Sequence, residues 1–390
     1  MISQQHISDR ALNIPTSAIH EMTRLSQLQE DVAFLSWAKP TSDTPEHIKD
    51  AASKAIMEGK TAGYSPTWGL VPLREAVAKK LRNDNKIDAT IEEVMITVGA
   101  IEGLSAAVLA TVNPGDEVII PIPGYSTHVR QVEIAGGKPV LVQTDEENGY
   151  KLDIDKINAA LTDKTKAIIF SDPNNPTGAV YSKEELQALA DMATENDLMV
   201  IVDEAYEYFT YDGHEHYSIA SFEGMHDRVI SVFTFTKSYA MTGWRVGYLH
   251  APADLIKHIV KMHIPLAICA PVVAQYAAIA ALEGPQDCIS EFRQHYLMVR
   301  DVMCERLDRV KHVFDYQKPK GAYLMFPRIK ADGKDDSMKF AVNLLQKAGV
   351  STTPGIAFKG EGHVRMSFCV PEDMVNIAFD RIENYFGKNS

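Results

Sequence analysis

Leu198-Met199-Val200-Ile201-Val202-Asp203-Glu204-Ala205-Tyr206 is a short apolar run that ends abruptly in acidic and aromatic residues. An apolar run of that length suits a strand buried on both faces, as in a parallel sheet. Four more runs of the same kind surround it: Val94–Val98, Glu117–Ile120, Lys166–Phe170 and Arg228–Phe233. Helix-period segments lie between them. Ile101, Leu104 and Val108 share one helix face, and Ser182-Lys183-Glu184-Glu185 reads as a capping box opening a helix that runs to Asn196. This alternation, from about Glu92 to His250, predicts an α/β fold with a largely parallel sheet covered on both faces. From about Gln286 the chain reads as a smaller α+β unit. The expected division is a large domain over 46–285 and a small domain made of 1–45 plus 286–390.

Bulk properties narrow the function classes. The chain has 390 residues, 45% hydrophobic and 23% charged, an ordinary globular mixture long enough for two domains. Its net charge is −13 and no Lys/Arg run tracks a phosphate backbone, so nucleic acid is not an expected partner. Cys269, Cys288, Cys304 and Cys369 lack CxxC spacing and suit neither a zinc site nor a disulfide framework. The uncharged stretch Ile264 to Leu282 is interrupted by Pro265 and Pro271, which favours a buried helix beginning near Pro271 over a membrane span. Met1-Ile2-Ser3-Gln4-Gln5-His6 lacks the apolar run of a signal peptide. A cytoplasmic protein with no membrane partner is the expectation.

Each of the five strands is followed, at once or within a few residues, by an unusual segment. These are Gly99-Ala100-Ile101-Glu102-Gly103, Pro121-Ile122-Pro123-Gly124-Tyr125, Asn174-Asn175-Pro176-Thr177-Gly178, Asp203-Glu204-Ala205-Tyr206 and Thr234-Phe235-Thr236-Lys237. In open α/β sheets the ligand crevice lies outside the carboxyl ends of the strands, so five such turns make one site. Arg245 instead precedes its strand, Val246–His250, and joins that edge only if the strand runs antiparallel. A desolvated lysine attacks carbonyls, and a carboxylate keeps a pyridine nitrogen protonated; together they are the signature of pyridoxal 5′-phosphate (PLP). Lys237 and Asp203 are the candidates. Asn175 and Tyr206 suit the ring's phenolic oxygen, and Tyr125 its face. A phosphate suits the amides of Ala100 and Ile101 at a helix start, with Thr234 and Arg245 adding donors.

Asn175-Pro176-Thr177-Gly178, Asp203-Glu204-Ala205-Tyr206 and the run from Lys237 through Gly243-Trp244-Arg245 to Tyr248 resemble the fold-type I aminotransferases of class I/II, the aspartate aminotransferase group. The likeness extends from Ile14-Pro15-Thr16 and Tyr64-Ser65-Pro66-Thr67-Trp68-Gly69 to Pro354-Gly355-Ile356 and His363-Val364-Arg365-Met366-Ser367. The resemblance implies a PLP-transferase large domain built on a mostly parallel, seven-stranded sheet. It implies that Lys237 forms the Schiff base and shuttles the proton, with Asp203 on the pyridinium nitrogen and Tyr206 and Asn175 on the phenolic oxygen. Gly99, Ala100, Ile101, Thr234 and Arg245 would form the phosphate cup. Arg365 would clamp the substrate carboxylate. Tyr64 would reach the neighbouring subunit's cofactor, which implies a homodimer with shared sites.

Two departures stand out. Where the family has Gly-x-Pro-Asp-x-Asp-Thr-Pro, this chain has Ala38-Lys39-Pro40-Thr41-Ser42-Asp43-Thr44-Pro45, which alters the substrate pocket at Ala38. Ile101 brings no hydroxyl to the phosphate. No distal cation for an acidic substrate announces itself, and Trp37, His128 and Tyr323 are further candidate pocket lining. Asp212-Gly213-His214-Glu215-His216 has metal-like letters but reads as a loop with no third ligand, and no metal is expected. The expected activity is a ping-pong transamination between an amino acid and a 2-oxo acid. A lyase, such as one for C–S or β-elimination, or a related synthase is the alternative on the same fold. A cofactor-binding regulator is disfavoured because both Lys237 and Asp203 are present.

Overall fold

In the computed structural model, which describes residues 4–387, the Val/Ile runs become the centre of a seven-stranded sheet. In chain order its strands are β1 (Val94–Thr97), β2 (Glu117–Ile122), β3 (Lys138–Gln143), β4 (Thr165–Ser171), β5 (Met199–Asp203), β6 (Val229–Thr234) and β7 (Gly247–His250). Across the sheet they lie in the order β1-β7-β6-β5-β4-β2-β3. All neighbours are parallel except β7, which runs antiparallel to both β1 and β6. That reversal is what Arg245 requires to reach the edge where the other strands end. Met1–Ser3 and Lys388–Ser390, part of the expected small domain, lie outside the described residues.

Alternate strand residues feed two cores. Val200, Val202, Val229 and Phe233 pack with Leu73, Leu186 and Ala277 on one face, whereas Ile201, Ile230 and Val232 pack with Leu104, Val129 and Ile259 on the other. Burial on both faces explains why these strands lack polar alternation. β3 was not expected: it is the sheet edge, carries Pro139, and is largely open to solvent. The capping box at Ser182 is present with both reciprocal bonds, and the helix it opens spans Lys183–Glu195. The helix Gly99–Thr111 buries Leu104 and Val108, but Ile101 is 46% exposed. Its expected place on that buried face fails because the first turn stands at the sheet edge.

The stretch from Ile264 is split. One helix, Ala253–Ala267, contains Pro265, and the next, Val272–Glu283, starts after Pro271. Among the described residues no helix is long and apolar enough to cross a membrane. The C-terminal third packs helices Asp287–Arg309, Ser337–Ala348 and Glu372–Phe386 around short strands, including an antiparallel sheet of Leu324–Met325, Val364–Ser367 and Thr353–Pro354. Ala33–Phe34 pairs in parallel with Val350–Ser351, so an N-terminal segment joins this part. Its core also takes in Ala205, Tyr206, Phe209 and Tyr211 from beyond β5.

Candidate active site

Strand ends carry the polar groups to one place. β5 terminates in buried Asp203, whose Oδ1 accepts the Ala205 N–H at 3.3 Å. Its Oδ2 lies 3.5 Å from Nε2 of buried His128. β6 runs into the short helix Phe235–Ser238, which presents Lys237. The Lys237 ammonium donates to the Ala38 carbonyl at 2.7 Å and stands 5.6 Å and 5.7 Å from the ring centres of Tyr206 and Tyr323. Burial lowers its pKa to about 8; Cys369 and Asp203 oppose that shift, and Arg365 and Arg245 reinforce it.

An anion cup forms beside the lysine. The helix Gly99–Thr111 starts here, and its first-turn amides have no partner within the helix. Gly99 has φ +72°, and a Cβ there would sit 2.4 Å from the Arg245 guanidinium, so the close approach of Arg245 needs glycine. Arg245 itself has φ +53° and donates to the Thr242 carbonyl at 3.1 Å. Thr234 donates its hydroxyl to Thr236 Oγ1 at 2.9 Å. Glu102, in the same helical turn, would repel an anion, but its carboxylate is taken up by the Val98 N–H (3.0 Å) and His263 (2.8 Å).

Across from the lysine, Arg365 comes from the strand Val364–Ser367. It is 2% exposed, donates to Asn175 Oδ1 at 3.1 Å and to the Ser36 carbonyl at 3.0 Å, and lies 4.7 Å over the Phe358 ring. Burial lowers its pKa from the usual guanidinium value. Fixed by these contacts, with its Nε unpartnered among the described residues, it is a preorganised charged donor of a kind that suits a carboxylate.

Eleven of the residues singled out from the sequence line one cavity of about 590 Å³: Ala38, Ala100, Ile101, Tyr125, Asn175, Asp203, Tyr206, Thr234, Lys237, Arg245 and Arg365. Gly99 lies behind Arg245. Tyr64 is outside the cavity and 81% exposed. Trp37 joins the lining, but His128 and Tyr323 do not. His128 backs Asp203, and Tyr323 is buried against Tyr206, donating its hydroxyl to the Ala38 carbonyl at 3.3 Å. Sequence reasoning missed Ile19, Thr23 and Gln27, which reach the cavity from the helix Ala18–Gln27. Their spacing of four is the signal that one face of that helix is shared. It also missed a cation: Lys39 lines the mouth, 4.8 Å over the Trp37 ring. The amine, the carboxylate and the glycine-dependent cup of amides and guanidinium suit the aldehyde, ring nitrogen and phosphate of one phosphorylated pyridine cofactor.

The family model described as aminotransferase class I and II matches residues 31–382. An aromatic-amino-acid aminotransferase of Thermococcus litoralis is 41% identical over 382 residues, covering 97% of each chain. An aspartate aminotransferase of Pyrococcus abyssi is 41% identical over 382 residues, again covering 97% of each. Among solved structures, the Thermus thermophilus aspartate aminotransferase with maleate matches with a TM-score of 0.91 and 34% identity, over 98% of this chain and all of that one.

Proposed function

Since the chain belongs to the class I and II aminotransferase family and is a PLP-dependent transaminase, we propose that Lys237, Asp203 and Arg365 are the groups that carry its reaction. The observation that carries this reading is their convergence on one cavity, with Lys237 at a lowered pKa of about 8. When bound, PLP supplies an aldehyde that captures the donor's amino group and a protonated ring that draws electrons from its α-carbon. Asp203 would hold the proton on the ring nitrogen, and His128 behind it would keep that carboxylate in place. Asn175 and Tyr206 would bind the phenolic oxygen, and Tyr125 would cover the ring. Gly99, Ala100, Ile101, Thr234 and Arg245 would take the phosphate. Lys237, freed when the donor's amine replaces it, would lift the α-proton and deliver it to the cofactor's C4′. Arg365 would anchor the α-carboxylate and so point the α-hydrogen at Lys237.

Substrate choice is argued from the outer wall. Relatives named for aromatic and for aspartate donors are equally similar, so identity does not decide it. The wall offers Ile19, Trp37, Ile101 and Tyr125, with Lys39 as the cation at the mouth. Lys39 is solvent-exposed, and an exposed ion pair contributes only about 0–1 kcal/mol. Burial of an apolar side chain contributes about 1.5–3 kcal/mol. Bulky uncharged donors are therefore preferred over aspartate.

The same proposal includes a cytoplasmic homodimer. Tyr64 is exposed, and so are other apolar side chains close to it in the sequence, Ile56, Met57, Trp68 and Val71, a concentration that suits an interface. The test of the whole reading is a half-reaction screen: the PLP form is mixed with single amino acids and no 2-oxo acid. Turnover is expected to stop after one 2-oxo acid per site, fastest with aromatic or large aliphatic donors. Sustained release of product from one amino acid would overturn the role given to Lys237, and a strong preference for aspartate would overturn the wall argument alone.

A further inference from the structure

At the edge of the sheet opposite the cavity, three segments far apart in sequence bring two histidines and a glutamate together. Glu93 immediately precedes β1, His226 lies in the turn before β6, and His250 ends β7. One ligand atom from each lies within 4.8 Å of the others. Glu93 Oε1 is 2.6 Å from His226 Nε2, and the two histidine rings meet edge to face with centroids 5.4 Å apart. Glu93 is held from behind: its Oε2 accepts the N–H and hydroxyl of Thr90 at 2.7 Å and 3.0 Å.

His250 is the unusual member. It is fully buried, and among the described residues neither ring nitrogen has a hydrogen-bond partner. Burying polar nitrogens unpaired is costly, and native proteins seldom do so without a further ligand. Ser231, its partner in the β6–β7 ladder, likewise has a buried Oγ without a partner. His226, by contrast, has a side chain 38% exposed, so the cluster opens to solvent on one side.

We propose that Glu93, His226 and His250 form a binding site for a divalent ion of the zinc class. Two imidazoles and a carboxylate suit Zn²⁺ or Co²⁺ better than Mg²⁺ or Ca²⁺, which prefer all-oxygen shells. Ligand atoms around tetrahedral zinc are about 3.3 Å apart, given bonds of about 2.0–2.1 Å. The ion replaces the proton shared by Glu93 and His226, so that pair opens slightly as His250 closes in. Solvent takes the fourth position on the His226 side. The Thr90 contacts fix the carboxylate as an outer shell should. An ion here ties together the starts of β1 and β6 and the end of β7. The opposite ends of those strands lead to Gly99, Lys237 and Arg245, so the site braces the scaffold without touching the reaction.

The test uses PLP-loaded enzyme, stripped with a chelator, dialysed, and titrated with Co²⁺ or Zn²⁺ alone. One Co²⁺ per chain is expected, with the visible bands of a four-coordinate ion, displaceable by Zn²⁺ and accompanied by a rise in the thermal midpoint. His226→Ala, a change at an exposed side chain, should weaken Co²⁺ binding by about tenfold or more and abolish the thermal rise. Glu93→Gln should do the same, and both variants should keep wild-type transaminase activity. Absence of a bound ion in the wild type, or binding and thermal rise unchanged in both variants, would overturn the assignment.

Discussion

Lys237 owes its chemistry to its surroundings. An ordinary lysine titrates near 10.4, whereas burial brings this one to about 8. At pH 7 about a tenth of Lys237 is then neutral, roughly two hundred times the fraction of an ordinary lysine. Only the neutral amine attacks an aldehyde. Capture of PLP by the cofactor-free enzyme should therefore accelerate about tenfold per pH unit up to about pH 8 and level off above it. Stopped-flow absorbance reads this directly, and Lys237→Ala should show no capture. A profile still climbing at pH 9.5 would mean that the amine is solvated and the cavity does not tune it. Lys237, Asp203 and Arg245 were legible in the sequence because each sits beside a strand whose apolar letters fix where it ends. His128 and Lys39 were not. Whether a helical histidine backs a carboxylate or lines a pocket depends on the helix's rotation against the sheet, which spacing along the chain does not fix.

At the scale of elements, the loops after β4 and β5 are joined by a side chain from a third. The His216 side chain is only 7% exposed and lies 2.8 Å from Glu204 and 3.4 Å from Asp172, with Ser218 also bonded to Glu204. Burial alone would lower its pKa, but the two carboxylates outweigh this and raise it to about 10. Asp172 and Glu204 lie close to Asn175 and Asp203 in sequence, so this bridge holds two cavity-lining loops in register. Removing one member of a buried charged cluster costs about 3–5 kcal/mol, and His216→Ala should lower the thermal midpoint by several degrees. The sign with pH follows from a folded pKa above the unfolded one. The stabilisation is complete below about 6.5 and is lost as pH rises through about 10. The gap in stability between wild type and His216→Ala should therefore narrow from pH 6.5 to 10; a constant gap would show that the histidine acts by packing alone. The loop Asp212–His216 was legible as a loop. That its last residue turns inward was not, since the carboxylates it meets are 12 and 44 positions away. The C-terminal part was expected to hold strands, but its two-residue strands could not be placed for a simpler reason, as they are too short to show a period.

For the whole molecule, the motifs around Ala100, Tyr125, Asn175, Asp203, Lys237 and Arg365 made the architecture legible, because each carries a residue to the same cavity. Assembly is a different matter, since a single chain displays only what it leaves uncovered. Tyr64 is such a residue: the family resemblance sends it to a cofactor phosphate, yet it is 81% exposed and outside the cavity of its own chain. Both statements hold if its hydroxyl serves the neighbouring subunit. A hybrid dimer decides the matter. One protomer carries Tyr64→Phe and keeps Lys237; the other carries Lys237→Ala and keeps Tyr64. With shared sites, the first protomer's cavity has its own lysine and its partner's tyrosine, so one site per hybrid is fully wild type and the other has both defects. Tyr64→Phe homodimers should release PLP faster than wild type, by about tenfold for the loss of one charge-assisted hydrogen bond. The hybrid's single active site should release it at the wild-type rate. If the hybrid instead releases PLP as fast as the Tyr64→Phe homodimer, Tyr64 serves its own chain and the shared-site reading is wrong.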